Sequence, residues 1–181
     1  MKKYYFKFYI SLFCLLSFSI LTSCLEDDGD SGNALTSNTS FEARDAITGE
    51  FEATGEFVTQ YISEFELHVA GLDIWDSSDP VNPQFLIGIQ MYDEEEIELT
   101  TGLYTLRDSF LAGGDLGRFG VGLTWWDESR NATIFSEVEQ GFIRIRDISE
   151  TRIRGEFAFD VKSPATGEKI VVREGNFDIR R

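Results

Sequence analysis

Apart from its acidic residues, this chain has few side chains that could take part in catalysis or bind a metal. It has one histidine, His68, and two cysteines, Cys14 and Cys24. A Ser-His-Asp arrangement would have to use His68, but the alternating pattern of residues 64–69 places it on the polar face of a strand. A zinc site would have to combine this histidine with carboxylates alone, which is a poor set of ligands for zinc. We therefore predict no catalytic residue, no metal site and no cofactor.

Carboxylates are abundant, with 32 Asp and Glu residues in the chain. Paired carboxylates hydrolyse glycosides, but among so many acids some pair always lies at a suitable distance, so the count does not point to a hydrolase. The sharpest acidic run, residues 93–96, has oxygen ligands of the kind that Ca²⁺ prefers. It lacks the spaced pattern of a calcium loop and is more typical of a solvated turn.

The N-terminal residues have the form of a secretory signal peptide. Three lysines within a short positive start precede a mostly apolar run, residues 10–21. This run is too short for a ~30 Å hydrocarbon core, which needs about 20 residues. Residues 21–24, Leu-Thr-Ser-Cys, resemble the bacterial lipobox. The resemblance implies that Cys24 is acylated and becomes the first residue of the mature chain.

The segment after Cys24 is rich in Ser, Asn, Gly, Thr and Asp, a composition that predicts a flexible tether. We divide the chain into a signal peptide (1–23), a tether (24–40) and a β domain (41–181). The acids directly after Cys24 resemble the export signal of Bacteroidota lipoproteins. This resemblance implies a lipid-anchored protein of the outer membrane that faces outside, with the periplasmic face as the alternative.

The formal net charge is −16 at pH 7, and three lysines leave with the predicted leader. Such a surface repels nucleic acid and anionic headgroups. We therefore expect no nucleic-acid partner and a membrane contact through acylated Cys24 alone. Stable attachment takes two or more acyl chains, which the lipoprotein resemblance implies.

From Phe41 onward the apolar residues recur with period two rather than 3.6. About nine such segments with short polar connections are typical of antiparallel sheets around one core. The predicted fold class is all-β, an antiparallel meander in a single domain, either a lipocalin-like barrel or a two-sheet sandwich. We expect a monomer. The predicted strands cover residues 51–57, 64–69, 84–91, 103–106, 118–125, 132–138, 143–146, 153–161 and 169–179.

The outward positions of the strands carry acids early in the chain and arginines late. Like charges directly opposite on a hairpin are unfavourable. We therefore predict that the late arginines lie beside carboxylates of neighbouring strands, where the chain closes on itself, with an anion site as the alternative. These arginines are Arg144, Arg146, Arg152 and Arg154.

Four short motifs with glycine follow one another in the second half of the chain. They are residues 101–104 (Thr-Gly-Leu-Tyr), 141–145 (Gly-Phe-Ile-Arg-Ile), 153–159 (Ile-Arg-Gly-Glu-Phe-Ala-Phe) and 174–179 (Glu-Gly-Asn-Phe-Asp-Ile). Strand glycines mark bends or close approaches, so we interpret the motifs as packing devices. The series, over residues 84–181, resembles a family of Bacteroidota lipoproteins of unknown function. The resemblance implies fold and location, and no catalytic residue.

Two loops, residues 75–84 and 108–117, are the longest between predicted strands. In a simple up-and-down chain, alternate loops share an end, and aromatics with a few acids there suit a sugar, peptide or small apolar ligand. The alternative is that the apolar side chains fold inward as plugs. Trp126 should point outward beside inward-facing Trp125. The candidate ligand-binding residues are Trp75, Asp76, Asp79, Phe110, Leu111 and Trp126.

The expected function is a non-catalytic binding or structural role at the outer membrane, with a protein, a glycan or a small apolar molecule as partner. A lipocalin-like carrier is the first alternative, and it would need an apolar cavity of several hundred Å³. A carboxylate-based hydrolase is the second. It would need converging acids with raised pKa values in a cleft.

Overall fold

The computed structural model describes residues 37–77, 79 and 81–181, and the prediction of an all-β fold is confirmed. The predicted signal peptide, Cys24 and most of the tether lie outside the described residues. Where the chain is described, no helix is long and apolar enough to cross a membrane. The strands are β1 (Asn38–Asp45), β2 (Gly49–Ile62), β3 (Leu67–Asp76), β4 (Phe85–Asp93), β5 (Gly102–Thr105), β6 (Arg107–Asp108), β7 (Phe119–Trp126), β8 (Ala132–Phe135), β9 (Glu137–Ile148), β10 (Arg152–Lys162) and β11 (Lys169–Arg180).

Each of the nine predicted segments overlaps one of these strands, and β1 and β6 are additional. The segment predicted at residues 64–69 is displaced, because residues 63–66 form a turn and β3 covers Leu67–Asp76. Strand β1 begins at Asn38, so residues 38–40 belong to the sheet rather than to the predicted tether. Thr39 shows why, because it is 5% exposed and pairs in register with Ala53 and Phe177. Residues 38–40 are all polar, so their sequence does not indicate which side chains face inward. Strand β6 has only two residues, too few to show an alternating pattern.

The strands pair in the order β5-β9-β10-β11-β1-β2-β3-β4-β7-β6, and β8 also pairs with β7. The pairing of β6 with β7 is parallel, and the others are antiparallel. The two ends of the order, β5 and β6, are separated in the chain by Leu106 alone, whose N–H donates to the Gly141 carbonyl at 3.0 Å. The sheet therefore curls until residues 102–108 lie between β9 and β7.

Aromatic side chains occupy the inside of the curled sheet. The ring of Phe41 stacks on Phe51 and meets Phe85 edge-on, with 5.1 Å between centroids in both pairs. Phe157 stacks on Phe159 at 6.0 Å. These are the favoured aromatic geometries, and burial of each ring stabilises the fold by about 2 kcal/mol.

The G-x-F motifs of β10 and β11 interlock. Gly155 lies opposite Phe177 in the register, and Gly175 lies opposite Phe157. A Cβ on Gly155 would lie 2.5 Å from Cζ of Phe177, and one on Gly175 would lie 2.5 Å from Cδ2 of Phe157. Each ring thus fills the space over the facing glycine, and the two rings stack at 6.4 Å. The interpretation of these motifs as packing devices is confirmed.

A second, smaller cluster lies on the outer face of the β2–β3 hairpin. Alternation along β3 explains it, because Leu72 and Ile74 belong to the main core while Leu67 and Val69 face the opposite way. We call this group the outer cluster. Its buried members are Val58, Ile62, Leu67, Val69 and Tyr92.

The predicted pairing of the late arginines with carboxylates is confirmed. Arg144 and Arg146 both pair with Glu156 on β10. Arg152 and Arg154 both pair with Asp178 on β11, at 2.5 and 3.1 Å. The acids belong to the late strands rather than the early ones. Exposed pairs of this kind each contribute about 0–1 kcal/mol.

Candidate functional site

The two long loops lie at opposite ends of the sheet, so the expectation that they share an end is wrong. Residues 77–84 precede β4, whereas the N–H of Gly117 donates to the carbonyl of Tyr92 at 2.8 Å, near the last residue of β4. The reason is that β6 runs parallel to β7. A parallel connection returns the chain to the start of β7 and breaks the simple alternation of loops.

Phe110 and Leu111 are packed against the outer cluster. They stand in a short 3₁₀ helix, Phe110–Ala112, and the ring of Phe110 stacks on Tyr92 with 5.3 Å between centroids. They therefore cover the outer face of the sheet and do not fold inward as plugs. Their position separates them from the other candidate residues.

Asp76 and Asp79 shape the loop between β3 and β4. Oδ1 of Asp79 accepts the N–H groups of Val81 and Asn82 at 3.2 and 3.0 Å. Oδ2 of Asp76 accepts the N–H of Gln84 at 3.4 Å. Such local bonds between Asp and the backbone are typical of turns, so both carboxylates have a structural task.

Trp75 and Trp126 lie partly buried at the same end as this loop. The N–H of Trp126 donates to the Gln84 carbonyl at 2.9 Å. The Arg130 guanidinium lies 5.3 Å from the centroid of the Trp126 ring, a cation–π contact. Four of the six candidates, Trp75, Asp76, Asp79 and Trp126, thus share an end of the sheet, and Phe110 and Leu111 are at the other.

A cleft of about 770 Å³ opens at the end where β2 finishes and β3 begins. We call it the end cleft. Its volume lies within the range of about 300–1,000 Å³ that small-molecule sites occupy. The side chains that give it chemical character are Phe57, Tyr61, His68, Glu96, Glu98 and Arg181.

A pair of rings forms one wall of the end cleft. Tyr61 and His68 stand directly opposite each other on β2 and β3, next to the turn that joins the strands. Their centroids are 4.9 Å apart, at an angle of 49°. Tyr61 nevertheless stays 56% exposed. The sheet register thus presents an aromatic surface to the solvent in the cleft.

Arg181 is held by backbone contacts rather than by an acid. Its N–H donates to the Thr151 carbonyl at 3.0 Å, and Nη1 donates to the Ser149 carbonyl at 3.1 Å. Its guanidinium lies 4.7 Å from the centroid of the Phe57 ring. Over the described stretch of chain, no carboxylate forms an ion pair with it. A positioned cation therefore lines the cleft.

Glu96 and Glu98 reach the end cleft from the segment that joins β4 to β5. Both side chains are exposed, whereas Leu99 packs against the main core. Leu99 therefore fixes the segment to the body of the sheet and keeps the neighbouring carboxylates at the cleft.

Sequence reasoning missed the end cleft and placed His68 on a polar strand face, whereas His68 lies on the same face of β3 as Leu72 and Ile74 of the main core. The available signal was the turn at residues 63–66, since a tight turn there makes Tyr61 and His68 cross-strand neighbours. Phe57 and Arg181 carry no such signal, because their contact joins β2 to the residue after β11.

Glu56 and Asp73 form a second group, on the outer face of the sheet. They stand directly opposite on β2 and β3. Burial and the nearby Glu56 charge raise the pKa of Asp73 to about 7, although a hydrogen bond from Gln90 opposes this rise. Burial also raises the pKa of Glu56. Gln90 Nε2 donates to Asp73 Oδ1 at 2.5 Å, and Tyr92 Oη donates to Gln90 Oε1 at 2.7 Å.

Among residues 37–77, 79 and 81–181, no three His, Cys, Asp or Glu side chains are arranged to hold a metal ion. Comparisons with protein-family models, with curated proteins and with solved structures find no match to this chain. The end cleft and the N-terminal sequence are therefore the features of the protein that indicate a function.

Proposed function

We propose that this protein is a lipid-anchored binding protein of the outer membrane, attached through acylated Cys24 and facing outside. The lipobox-like residues 21–24 and the acids after them support this placement. Its function is non-catalytic binding of a ligand in the end cleft. The observation that carries the binding role is the exposed Tyr61 ring in a cleft of about 770 Å³ that also holds the Arg181 guanidinium, which forms no ion pair with a carboxylate of the described residues.

Binding is favoured over hydrolysis because the unusual carboxyls are not in the end cleft. Glu56 and Asp73 have raised pKa values, which a hydrolase would need. Asp73 lies on the opposite face of β3 from His68, as their odd spacing requires. Its carboxyl group is engaged by Gln90 rather than open to a substrate. We therefore rank a hydrolase function below the binding function.

Binding at the end of the sheet is also favoured over transport inside it. A lipocalin-like carrier would hold an apolar ligand among the inward-facing residues. In the described core, stacked and edge-on rings such as Phe41, Phe85 and Phe157 fill that space. The end cleft adjoins this packing at Phe57 and Leu99 but is open to solvent, so a ligand can enter it without displacing the fully buried side chains.

Thermal-shift screening of the full chain in mild detergent tests the binding role. The screen compares soluble saccharides, short peptides and small apolar molecules. We expect one of these classes to raise the Tm of the wild type and of the control Leu103→Ala, since Leu103 is 61% exposed outside the cleft. The same class should leave Tyr61→Ala unchanged. Equal shifts in both variants, or no shift with any class, would contradict a ligand site in the end cleft.

A further inference from the structure

The end cleft combines an aromatic surface with charged groups of both signs. From this combination we infer that its ligand is a neutral saccharide. The inference rests on the proposed binding function and names its ligand class. Three properties of the cleft support it, namely the exposed ring, the opposing charges and the contacts that hold Arg181 and the segment of Glu96 and Glu98.

The ring matches the apolar face of a sugar. Tyr61 is 56% exposed, while contact with His68 holds the ring in place through the β2–β3 register. A flat ring offers a large contact area at small entropic cost, and a phenol adds a hydroxyl that donates and accepts. The C–H face of a pyranose is flat and apolar enough to lie on such a surface.

The charges match hydroxyl groups rather than a charged ligand. Glu96 and Glu98 can only accept hydrogen bonds when ionised, and Arg181 can only donate them. A sugar hydroxyl does both, so a polyhydroxylated ligand satisfies all three residues with charge-assisted bonds. The two carboxylates oppose an anion and the guanidinium opposes a cation. An apolar ligand would desolvate the charges without replacing their hydrogen bonds.

Contacts within the protein hold two parts of the end cleft in place. Two backbone carbonyls and the Phe57 ring hold Arg181. Leu99 fixes the segment of Glu96 and Glu98. Side chains held in advance lower the entropic cost of binding, which matters for a ligand that gains little from apolar burial.

Affinity electrophoresis of the full chain in mild detergent tests the inference, with gels that contain one soluble polysaccharide each. The neutral probes are α-glucan, β-glucan, mannan and xylan, and a polyuronate is the charged probe. We expect at least one neutral polymer to retard the wild type. Tyr61→Ala should weaken that retardation at least tenfold, Tyr61→Trp should keep it, and Leu103→Ala should match the wild type.

The outcomes separate the ligand class from the binding role. Retardation by the polyuronate alone would overturn the neutral saccharide, and so would retardation that Tyr61→Ala leaves unchanged. If no polysaccharide retards the protein while peptides or apolar molecules shift the Tm of the wild type but not of Tyr61→Ala, the saccharide is excluded and the end cleft remains a binding site. Retardation by a neutral polymer that also requires Arg181, tested as Arg181→Gln, supports the inference.

Discussion

Glu56 and Asp73 are directly opposite each other on β2 and β3, with both carboxyl groups on the outer face of the sheet. Like charges in this position destabilise a sheet. Gly88 stands opposite Asp73 on β4, where even an added Cβ would be in ordinary contact with Oδ1 at 3.4 Å. Gln90 donates to the same oxygen. The repulsion between the two carboxyl groups is smallest when Asp73 is protonated. Besides burial, this is one cause of its raised pKa of about 7.

This raised pKa predicts a fall in stability as the pH rises. Asp73 titrates near 3.8 when unfolded and near 7 when folded, so folding favours the protonated form. Its contribution is complete below about pH 4 and is lost as the pH rises to about 7. Each pKa unit corresponds to about 1.4 kcal/mol, so we expect Asp73→Asn to be more stable than the wild type by about 1–4 kcal/mol at pH 8.

Urea unfolding of the wild type and Asp73→Asn between pH 4 and 8 measures this effect. The wild type should lose stability across the range relative to the variant. Asp115→Asn, which removes an exposed carboxyl, should keep the wild-type slope. Parallel curves for the wild type and Asp73→Asn would show that Asp73 is already ionised in the folded protein at low pH.

The interlocked motifs of β10 and β11 predict a large cost for one added methyl group. In Gly155→Ala the new Cβ would collide with the Arg144 carbonyl and lie 2.5 Å from Phe177. We expect a loss of about 2–3 kcal/mol, as for other overpacked cores, measured by urea unfolding. Gly122→Ala is the matched control, because its Cβ meets only the Phe135 carbonyl at 4.0 Å. Equal losses in the two variants would contradict the interlock.

Asp160 predicts the opposite pH behaviour to Asp73. It is 3% exposed and pairs with Arg173 at 2.5 Å and Lys169 at 3.0 Å, and Gln140 donates to it at 2.9 Å. Burial opposes ionisation, but the ion pair with Arg173, the Gln140 hydrogen bond and the ion pair with Lys169 outweigh it and lower the pKa. The ion pairs therefore stabilise the fold above the ordinary pKa and lose this contribution as the pH falls below it.

Asp160→Ala should lower the free energy of unfolding at pH 7 by about 2–3 kcal/mol, because it leaves two cations without their shared partner. The difference from the wild type should shrink at pH 3. Chemical denaturation at both pH values measures it, with the exposed Asp147→Ala as control. A loss that is the same at both pH values would point to packing rather than charge.

The proposed anchor predicts a change of cell fraction. Cys24→Ala should remove acylation, so the protein should leave the membrane fraction and should not incorporate labelled palmitate. Cys14→Ala is the matched control, since that thiol belongs to the predicted leader. Recovery of Cys24→Ala in the membrane fraction would contradict the anchor. Digestion of the wild type by protease added to intact cells would support the outward-facing position.

Local pattern was sufficient for the strands and for the charge pairing. Period-two alternation is a property of a strand and its two faces, so nine strands could be predicted without knowing their partners. The pairing of Arg152 and Arg154 followed from the cost of like charges on neighbouring strands. The lipobox-like residues 21–24 are likewise a local signal, and acylation of Cys24 stays a prediction.

Only the tertiary structure decided where the candidate site lies. The parallel pairing of Arg107–Asp108 with β7 places the second long loop at the other end of the sheet from the first. The end cleft joins Phe57 of β2 to Arg181, and the burial of Asp73 depends on β4. Alternation tells which face a side chain takes, but not which distant strand lies beside it. That choice depends on register and closure, which are long-range properties of the whole sheet.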